Sequence, residues 1–266
     1  MGFTLFYLGV IVLIPIAALF LRAAQLSWAD FWRLATDARA LAAYRLTFGA
    51  SLAAALINAV FGSVLAWVLV RYEFPGRRFV DALVDFPFAL PTAVAGLTLA
   101  SLYSANGWFG QFLVRQQADG TEGGVRVAFT ALGVVVALTF VGLPFVVRTL
   151  QPVLENMERE VEEMAATLGA SRFRTFCSVI VPTLLPTVVT GFALAFARAI
   201  GEYGSVIFIA GNKPYSTEIA PLLIVIRLEE YDYPGAMALA MVLMLISFVL
   251  LVAIHLVERW ASRYQQ

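Results

Sequence analysis

Residues 155–186 read ENMEREVEEMAATLGASRFRTFCSVIVPTLLP, the longest polar-rich interruption in an otherwise apolar chain. Glu158, Glu160, Glu162 and Glu163 crowd around Arg159. Val161, Met164, Ala165 and Leu168 recur at i, i+3, i+4 and i+7, the spacing of one helix face. Gly169 ends that helix, because glycine takes the left-handed conformation a helix end needs. Ser171 is placed to cap a second, basic segment with Arg172 and Arg174, on which Phe173, Phe176 and Ile180 share a face. Pro182 and Pro186 mark the entry into the next apolar run. The expectation is a short helix–turn–helix whose tip carries small side chains, so that another backbone can come close. The other reading is a hairpin lying on lipid. Surface helices favour Lys and Arg against anionic head groups, and the first half of this one is acid-rich.

The surrounding chain has 266 residues, 61% of them hydrophobic and only 14% charged. Soluble domains are nearer half apolar and a quarter charged, so this is a polytopic membrane protein. A formal net charge of zero gives no sign of a nucleic-acid partner. The single cysteine, Cys177, excludes an internal disulfide and a cysteine metal cluster. The single histidine, His255, reads as an interfacial side chain near the end of the last span. The chain has no Walker A, HExxH or G-x-S-x-G sequence, so neither P-loop ATP hydrolysis, a catalytic residue nor a metal site is expected.

Six segments are long enough to cross a hydrocarbon layer of ~30 Å: Phe3–Leu21, Leu46–Val70, Phe79–Tyr103, Val127–Val147, Leu184–Ile209 and Ala236–Leu256. The first lacks a basic leader and a cleavage site and is read as retained. Arg22–Tyr44, with Trp28 and Trp32, reads as interfacial. The sequence RYEFPGRR, residues 71–78, carries three arginines around a tight Pro75-Gly76 turn and marks the cytoplasmic side. Alternation then places the hairpin and both termini in the cytoplasm and Ser104–Arg126 outside. The chain divides into residues 1–45, a span plus a periplasmic interfacial segment, and residues 46–260, the main transmembrane domain, with the hairpin at 155–182. Glu218, Arg227, Glu229, Glu230 and Asp232 are either open to an outside partner or a solvated rim.

Two spans carry unusual chemistry. Pro87 and Pro91 remove backbone donors within the third. Such breaks persist where neighbouring helices or a water-filled path satisfy the freed carbonyls, so both a packing kink and a path remain open. The fifth holds FARAIGEYGSVIFIAG, residues 196–211. Arg198 and Glu202 stand four apart, share a helix face and can pair. Ionisable groups within a span face a bundle interior or a wet cavity, and Gly201 and Gly204 permit close helix approach. The pair is either a structural tie or part of a path in which Arg198 attracts an oxyanion and Glu202 holds the arginine.

The hairpin resembles the EAA loop of binding-protein-dependent ABC importer permeases: E-A-A, three residues, G, nine residues, I-x-L-P. Glu163, Ala165, Gly169 and Pro182 match, while Met164, Val179 and Val181 depart conservatively. LPTAVAG (Leu90–Gly96) resembles the corresponding span of sulfate permease subunits, and RAIGEYGSVIFIAGN (Arg198–Asn212) with EIAPLLIVIRLEEYDYPGAMALAMVLMLISF (Glu218–Phe248) resembles the T-type subunit of sulfate/thiosulfate importers. The likeness spans roughly Leu46 to Trp260. It implies an all-α, type I (MetI-like) permease fold with six transmembrane helices in a bacterial inner membrane, serving ATP-driven sulfate or thiosulfate import. It implies ATPase coupling through Glu163, Ala165, Ala166, Gly169 and Ala170. The translocation pathway would include Pro91, Thr92, Arg198, Glu202, Tyr203 and Ser205. The implied partners are two ATP-binding subunits holding ATP and Mg, a W-type second permease and a periplasmic sulfate/thiosulfate-binding protein, with no cofactor in this chain. Molybdate or tungstate import is the alternative within the class. A stand-alone secondary transporter or channel is the alternative outside it, and it would show inverted repeats or coupling-ion sites. Arg198–Glu202 has no nucleophile or metal ligand beside it, which argues against an intramembrane enzyme.

Overall fold

The computed structural model describes residues 2–116, 122–157, 164–165 and 167–262. Helix α1 (Gly2–Leu8) runs through a π-helical turn (Gly9–Leu13) into α2 (Ile14–Ala23). Pro15 sits at the start of α2, where its missing N–H costs least, and the widened turn lies just before it. Helix α3 (Trp28–Ala35) is capped by Ser27, whose Oγ accepts the Asp30 N–H at 3.1 Å. Helix α4 (Ala38–Arg71) follows at once, with the Asp37 carboxylate accepting the Arg39 N–H at 3.3 Å. This cap shortens the interfacial segment expected over Arg22–Tyr44 and starts the span at Ala38. The boundary expected at residue 45/46 therefore falls inside α4.

The segment expected as one span over Phe79–Tyr103 is three pieces: α5 (Arg77–Val84), α6 (Phe86–Ala89) and α7 (Thr92–Tyr103). Gly76, at φ +87°, turns the chain into α5. Leu90 is extended and Pro91 is the N-cap of α7, as the restriction on a residue before proline requires. Helix α8 (Gly110–Leu113) leads into an antiparallel ribbon of β1 (Val114–Gln116) and β2 (Glu122–Gly124), a departure from a wholly α chain. Helix α9 (Ala131–Asn156) contains Pro144 and Pro152. Beyond the hairpin, α10 (Arg172–Thr175), a π-helical turn (Phe176–Ile180) and α11 (Val181–Ile200) form one continuous rod. The remaining helices are α12 (Gly204–Ile209), α13 (Ala220–Glu229) and α14 (Tyr233–Ser262).

Among the described residues four helices are long and apolar enough to cross a membrane: Ala38–Arg71, Ala131–Asn156, Arg172–Ile200 and Tyr233–Ile254. Phe6–Arg22 and Thr92–Tyr103 are shorter apolar helices, so two of the six expected spans lack a single helix of that length. The fifth also differs, since it ends at Ile200 and not at Ile209.

Helices α4, α9 and α11 form the centre. Apolar area gains little against lipid tails, so close backbone approach has to supply the packing. Cβ atoms added at Gly62 and Gly191 would press on Val146 from two sides, at 3.0 and 3.1 Å. Gly142 leaves room for the Asn58 amide on α4, which is 1% exposed. Leu69, Val146, Leu150, Leu154 and Ile200 form the core toward the hairpin. Ala54, Val134, Leu138, Val206, Ile209 and Leu222 form it toward the other end. Helix α14 is apolar around its circumference and leaves Leu245, Phe248 and Val249 exposed, as a helix bordering lipid does.

Candidate functional site

The described part of the hairpin has the expected geometry. Leu168 N–H bonds to the Met164 carbonyl at 3.1 Å, and Ala170 N–H reaches back to the Ala165 carbonyl at 3.0 Å. Gly169 sits between them at φ +81°, the glycine-terminated helix end that satisfies the last carbonyls. Ser171 Oγ then accepts the Arg174 N–H at 3.3 Å and caps α10. Leu168, 88% exposed, and Phe173, 77% exposed, stand out from the protein, and none of the described residues covers them. Of the five residues expected to dock a partner, Ala165, Gly169 and Ala170 lie on this turn; Glu163 and Ala166 lie outside the described residues. The hairpin's exit is held to the bundle. The Phe176 ring meets Trp67 of α4 edge-on at 6.0 Å, and the Arg71 guanidinium lies over the same indole at 5.3 Å. Cys177, the next residue, is exposed.

The predicted pathway residues converge on a crossing of two irregular segments. Helices α7 and α12 are in contact along their length. They approach so closely that a Cβ at Gly96 would overlap the Ser205 carbonyl, and one at Gly204 would overlap Thr92 Oγ1. Here glycine is required for space. Pro91 opens α7 and is exposed, and Tyr203 is half-buried against the neighbouring apolar cluster.

Glu202 bridges the break between α11 and α12. Its Oε2 pairs with Arg198 Nη1 at 2.5 Å. Its Oε1 accepts the Ser205 N–H at 3.0 Å and the Ser205 hydroxyl at 2.9 Å. The pairing expected from the four-residue spacing is present, although Glu202 lies past the last helical residue, Ile200. The carboxylate caps the next helix instead of extending the first. The pair is lopsided: the Glu202 side chain is 2% exposed and that of Arg198 37%. The guanidinium thus meets its surroundings with its charge partly neutralised from behind, which suits an anion ligand that must also release.

A third cluster joins the two regions. Arg148 on α9 forks onto Asp85 through Nε at 2.7 Å and Nη2 at 2.6 Å. It also donates to Asp81 Oδ1 at 2.7 Å and to the Asp81 carbonyl at 2.8 Å. Gln151 completes the cluster by donating to Asp81 Oδ1 at 2.9 Å. The helix that enters the hairpin is thereby fastened to α5, which leads through α6 to α7. The sequence reading missed this cluster. The available signals were an arginine inside the apolar run of α9, which needs a partner at that depth, and aspartates four apart on one helix face.

Charges at the opposite end are also used internally. Arg39 Nε and Nη2 donate to the two Glu218 oxygens at 2.8 and 2.7 Å. Arg227, 8% exposed, pairs with Asp232 at 2.8 Å and with Asp37 at 3.4 Å. Thr47 Oγ1 accepts the Ala220 N–H at 2.8 Å. Glu218 and Arg227 are therefore not available to an outside partner, since they tie α13 to the start of α4. Among the described residues no group of three or more His, Cys, Asp or Glu gathers to hold a metal ion.

A family model described as "binding-protein-dependent transport system inner membrane component" matches residues 58–263. A relative from Synechocystis, named sulfate transport system permease protein CysT, is 51% identical over 98% of this chain and 89% of its own. Its namesake from Escherichia coli is 48% identical over 97% and 91%. Among solved structures, a bacterial alginate ABC transporter in complex with an alginate pentasaccharide-bound periplasmic protein has a chain that superposes with a TM-score of 0.77. That match covers 97% of this chain and 92% of the other at 17% identity, a likeness of fold alone.

Proposed function

The chain belongs to the family of binding-protein-dependent transport system inner membrane components, and on that premise we propose that it is a membrane-spanning subunit of an ATP-driven importer carrying sulfate or thiosulfate into the cytoplasm. The observation that carries the reading is the glycine-terminated hairpin beyond α9, with exposed Leu168 and Phe173 beside a tip of small residues. The relatives' names support the substrate class. The chain is a transport component and not an enzyme. ATP and Mg are assigned to two ATPase subunits, and this chain needs no cofactor of its own. A W-type second permease and a periplasmic sulfate/thiosulfate-binding protein complete the assembly. Six crossings with both termini cytoplasmic fit the family: α1–α2 makes the first, and α5, α6 and α7 together make the third.

Closure of the ATPase dimer on ATP moves the hairpin. Arg148 passes that movement from α9 to α5 through Asp81 and Asp85. The pieces α6 and α7 carry it on to the crossing with α12, where Thr92, Glu202, Tyr203 and Ser205 meet. Pro91, exposed, and Arg198, half-buried, are assigned to the path beside that crossing. Selectivity resides mainly in the binding protein, and this chain supplies a path of modest affinity.

The test is radiolabelled sulfate uptake in cells lacking the chain, restored with wild type, Gly169→Asn or Gly169→Asp. Asparagine tolerates the left-handed conformation and adds no charge; aspartate adds a charge at the docking tip. Wild type restores uptake, the asparagine variant retains part of it, and the aspartate variant loses it at normal membrane abundance. Thiosulfate competes better than molybdate. Full uptake by Gly169→Asp refutes the coupling role, and loss of molybdate uptake in place of sulfate uptake in the deletion refutes the substrate. Arg198→Ala separates the two roles of its pair: normal abundance without uptake supports the path, and low abundance supports a tie.

A further inference from the structure

We propose that the protein holds an anionic membrane phospholipid in the groove between α2, α3 and α14. The inference lies outside the transport reading and stands whichever anion is carried. An apolar cavity of about 800 Å³ is walled by Phe20 at the end of α2, Trp28 and Phe31 of α3, and Met241, Leu245 and Ile246 of α14. Its mouth adjoins a smaller hollow of about 180 Å³ lined by Arg22, Gln25 and Tyr233; the two share Leu26. Tyr233 is the first residue of α14, and Ile246 lies thirteen residues further on. At 1.5 Å per residue the groove descends about 20 Å from the polar hollow, comparable with the ~15 Å of one leaflet's share of the hydrocarbon layer. One acyl chain fits that depth.

The head-group end is chosen by charge. Arg22 is exposed, and its guanidinium has no ion pair or hydrogen bond among the described residues. Of the acids nearby in sequence, Asp30 pairs with Arg33 at 2.8 Å and Asp232 with Arg227 at 2.8 Å, while Glu229 and Glu230 are exposed and line neither hollow. Gln25 and Tyr233 supply neutral donors. A phosphate at the hollow therefore meets a free cation and two donors, with no competing carboxylate shown there. The indoles of Trp28 and Trp32 on the amphipathic α3, in edge-to-face contact with ring centroids 5.6 Å apart, mark the level of the membrane–water boundary.

The complex is extracted in polymer-bounded nanodiscs, exchanged into detergent, and its retained lipid is measured by native mass spectrometry against phosphatidylglycerol and phosphatidylethanolamine. Wild type keeps phosphatidylglycerol in preference. Arg22→Gln, on the exposed end of α2 where folding is not at stake, lowers that preference about five-fold, the attraction of one basic residue for an anionic surface. Leu245→Trp, which fills the groove, removes both lipids. Arg33→Gln together with Asp30→Asn, which removes a neighbouring pair without changing the net charge, changes nothing. Retention by Arg22→Gln and Leu245→Trp equal to wild type overturns the proposal. So does a photocrosslinker at position 245 that captures the second permease subunit and no lipid.

Discussion

At the end away from the hairpin, Glu218 is 2% exposed and takes a forked pair of N–H bonds from Arg39. At the hairpin end, Asp85 takes the same fork from Arg148, yet the side chains of Asp81 and Asp85 remain 42% and 51% exposed. The geometry is alike and the setting is opposite. At the far end Arg39–Glu218 and Arg227 with Asp37 and Asp232 close their charges within one chain. The hairpin end leaves its clamp in partial contact with water and leaves Leu168 and Phe173 uncovered. A buried pair is hard to break without unfolding; a half-exposed one can shift at little cost. The far-end ties favour a fixed arrangement, and the proposed function asks the hairpin end to move and to take a partner.

The largest effect is expected at the far end. Arg39→Ala strands the Glu218 carboxylate and costs about 3–5 kcal/mol, read as a lower melting temperature and lower membrane abundance. Arg39→Met with Glu218→Met recovers most of the loss. A single Arg39→Ala variant that melts like wild type would break the comparison. Next is Gly96→Ala, which forces the α7–α12 crossing apart and costs about 1–3 kcal/mol of overpacking. If uptake falls while melting holds, the crossing belongs with the moving end. Arg148→Lys loses the fork but keeps the charge. With both partners half-exposed it costs ~1 kcal/mol, and sulfate uptake per ATP hydrolysed drops more than stability does. The smallest effect belongs to Arg33→Ala, whose partner Asp30 is 49% exposed. It moves the melting point by less than ~1 kcal/mol in stability terms, and a larger shift would mean that exposure is a poor guide to these pairs.

The described turn of the hairpin was legible because its determinants are local: Gly169 for the left-handed turn, Ser171 for the cap, and the spacing of Met164, Ala165 and Leu168 before them. The Arg198–Glu202 pair was legible for a related reason, since residues four apart stay close even where the helix gives way at Gly201. Hydropathy did not reveal the end of α11 at Ile200, because Val206, Ile207 and Ile209 continue the apolar run beyond a break made by one glycine and one buried carboxylate. The charged ties were hidden by distance: Arg39 and Glu218 are 179 positions apart, and no local pattern matches such partners. Arg227 read as a rim residue because its neighbours Glu229, Glu230 and Asp232 are charged, whereas its own side chain turns inward to Asp37 and Asp232. The ribbon of β1 and β2 lay in a glycine-rich loop whose composition says turn more strongly than strand.

Cys177 is the single thiol in the chain, and it is exposed one residue past the Phe176–Trp67 contact. A thiol-reactive dye therefore attaches to the unaltered chain at one known place, on the rod that leaves the hairpin, with no other cysteine in this chain to delete. The indole of Trp67 stands within quenching reach of that place. The wild-type sequence thus carries its own optical gauge: emission from the labelled thiol reports whether the rod shifts against Trp67 during turnover.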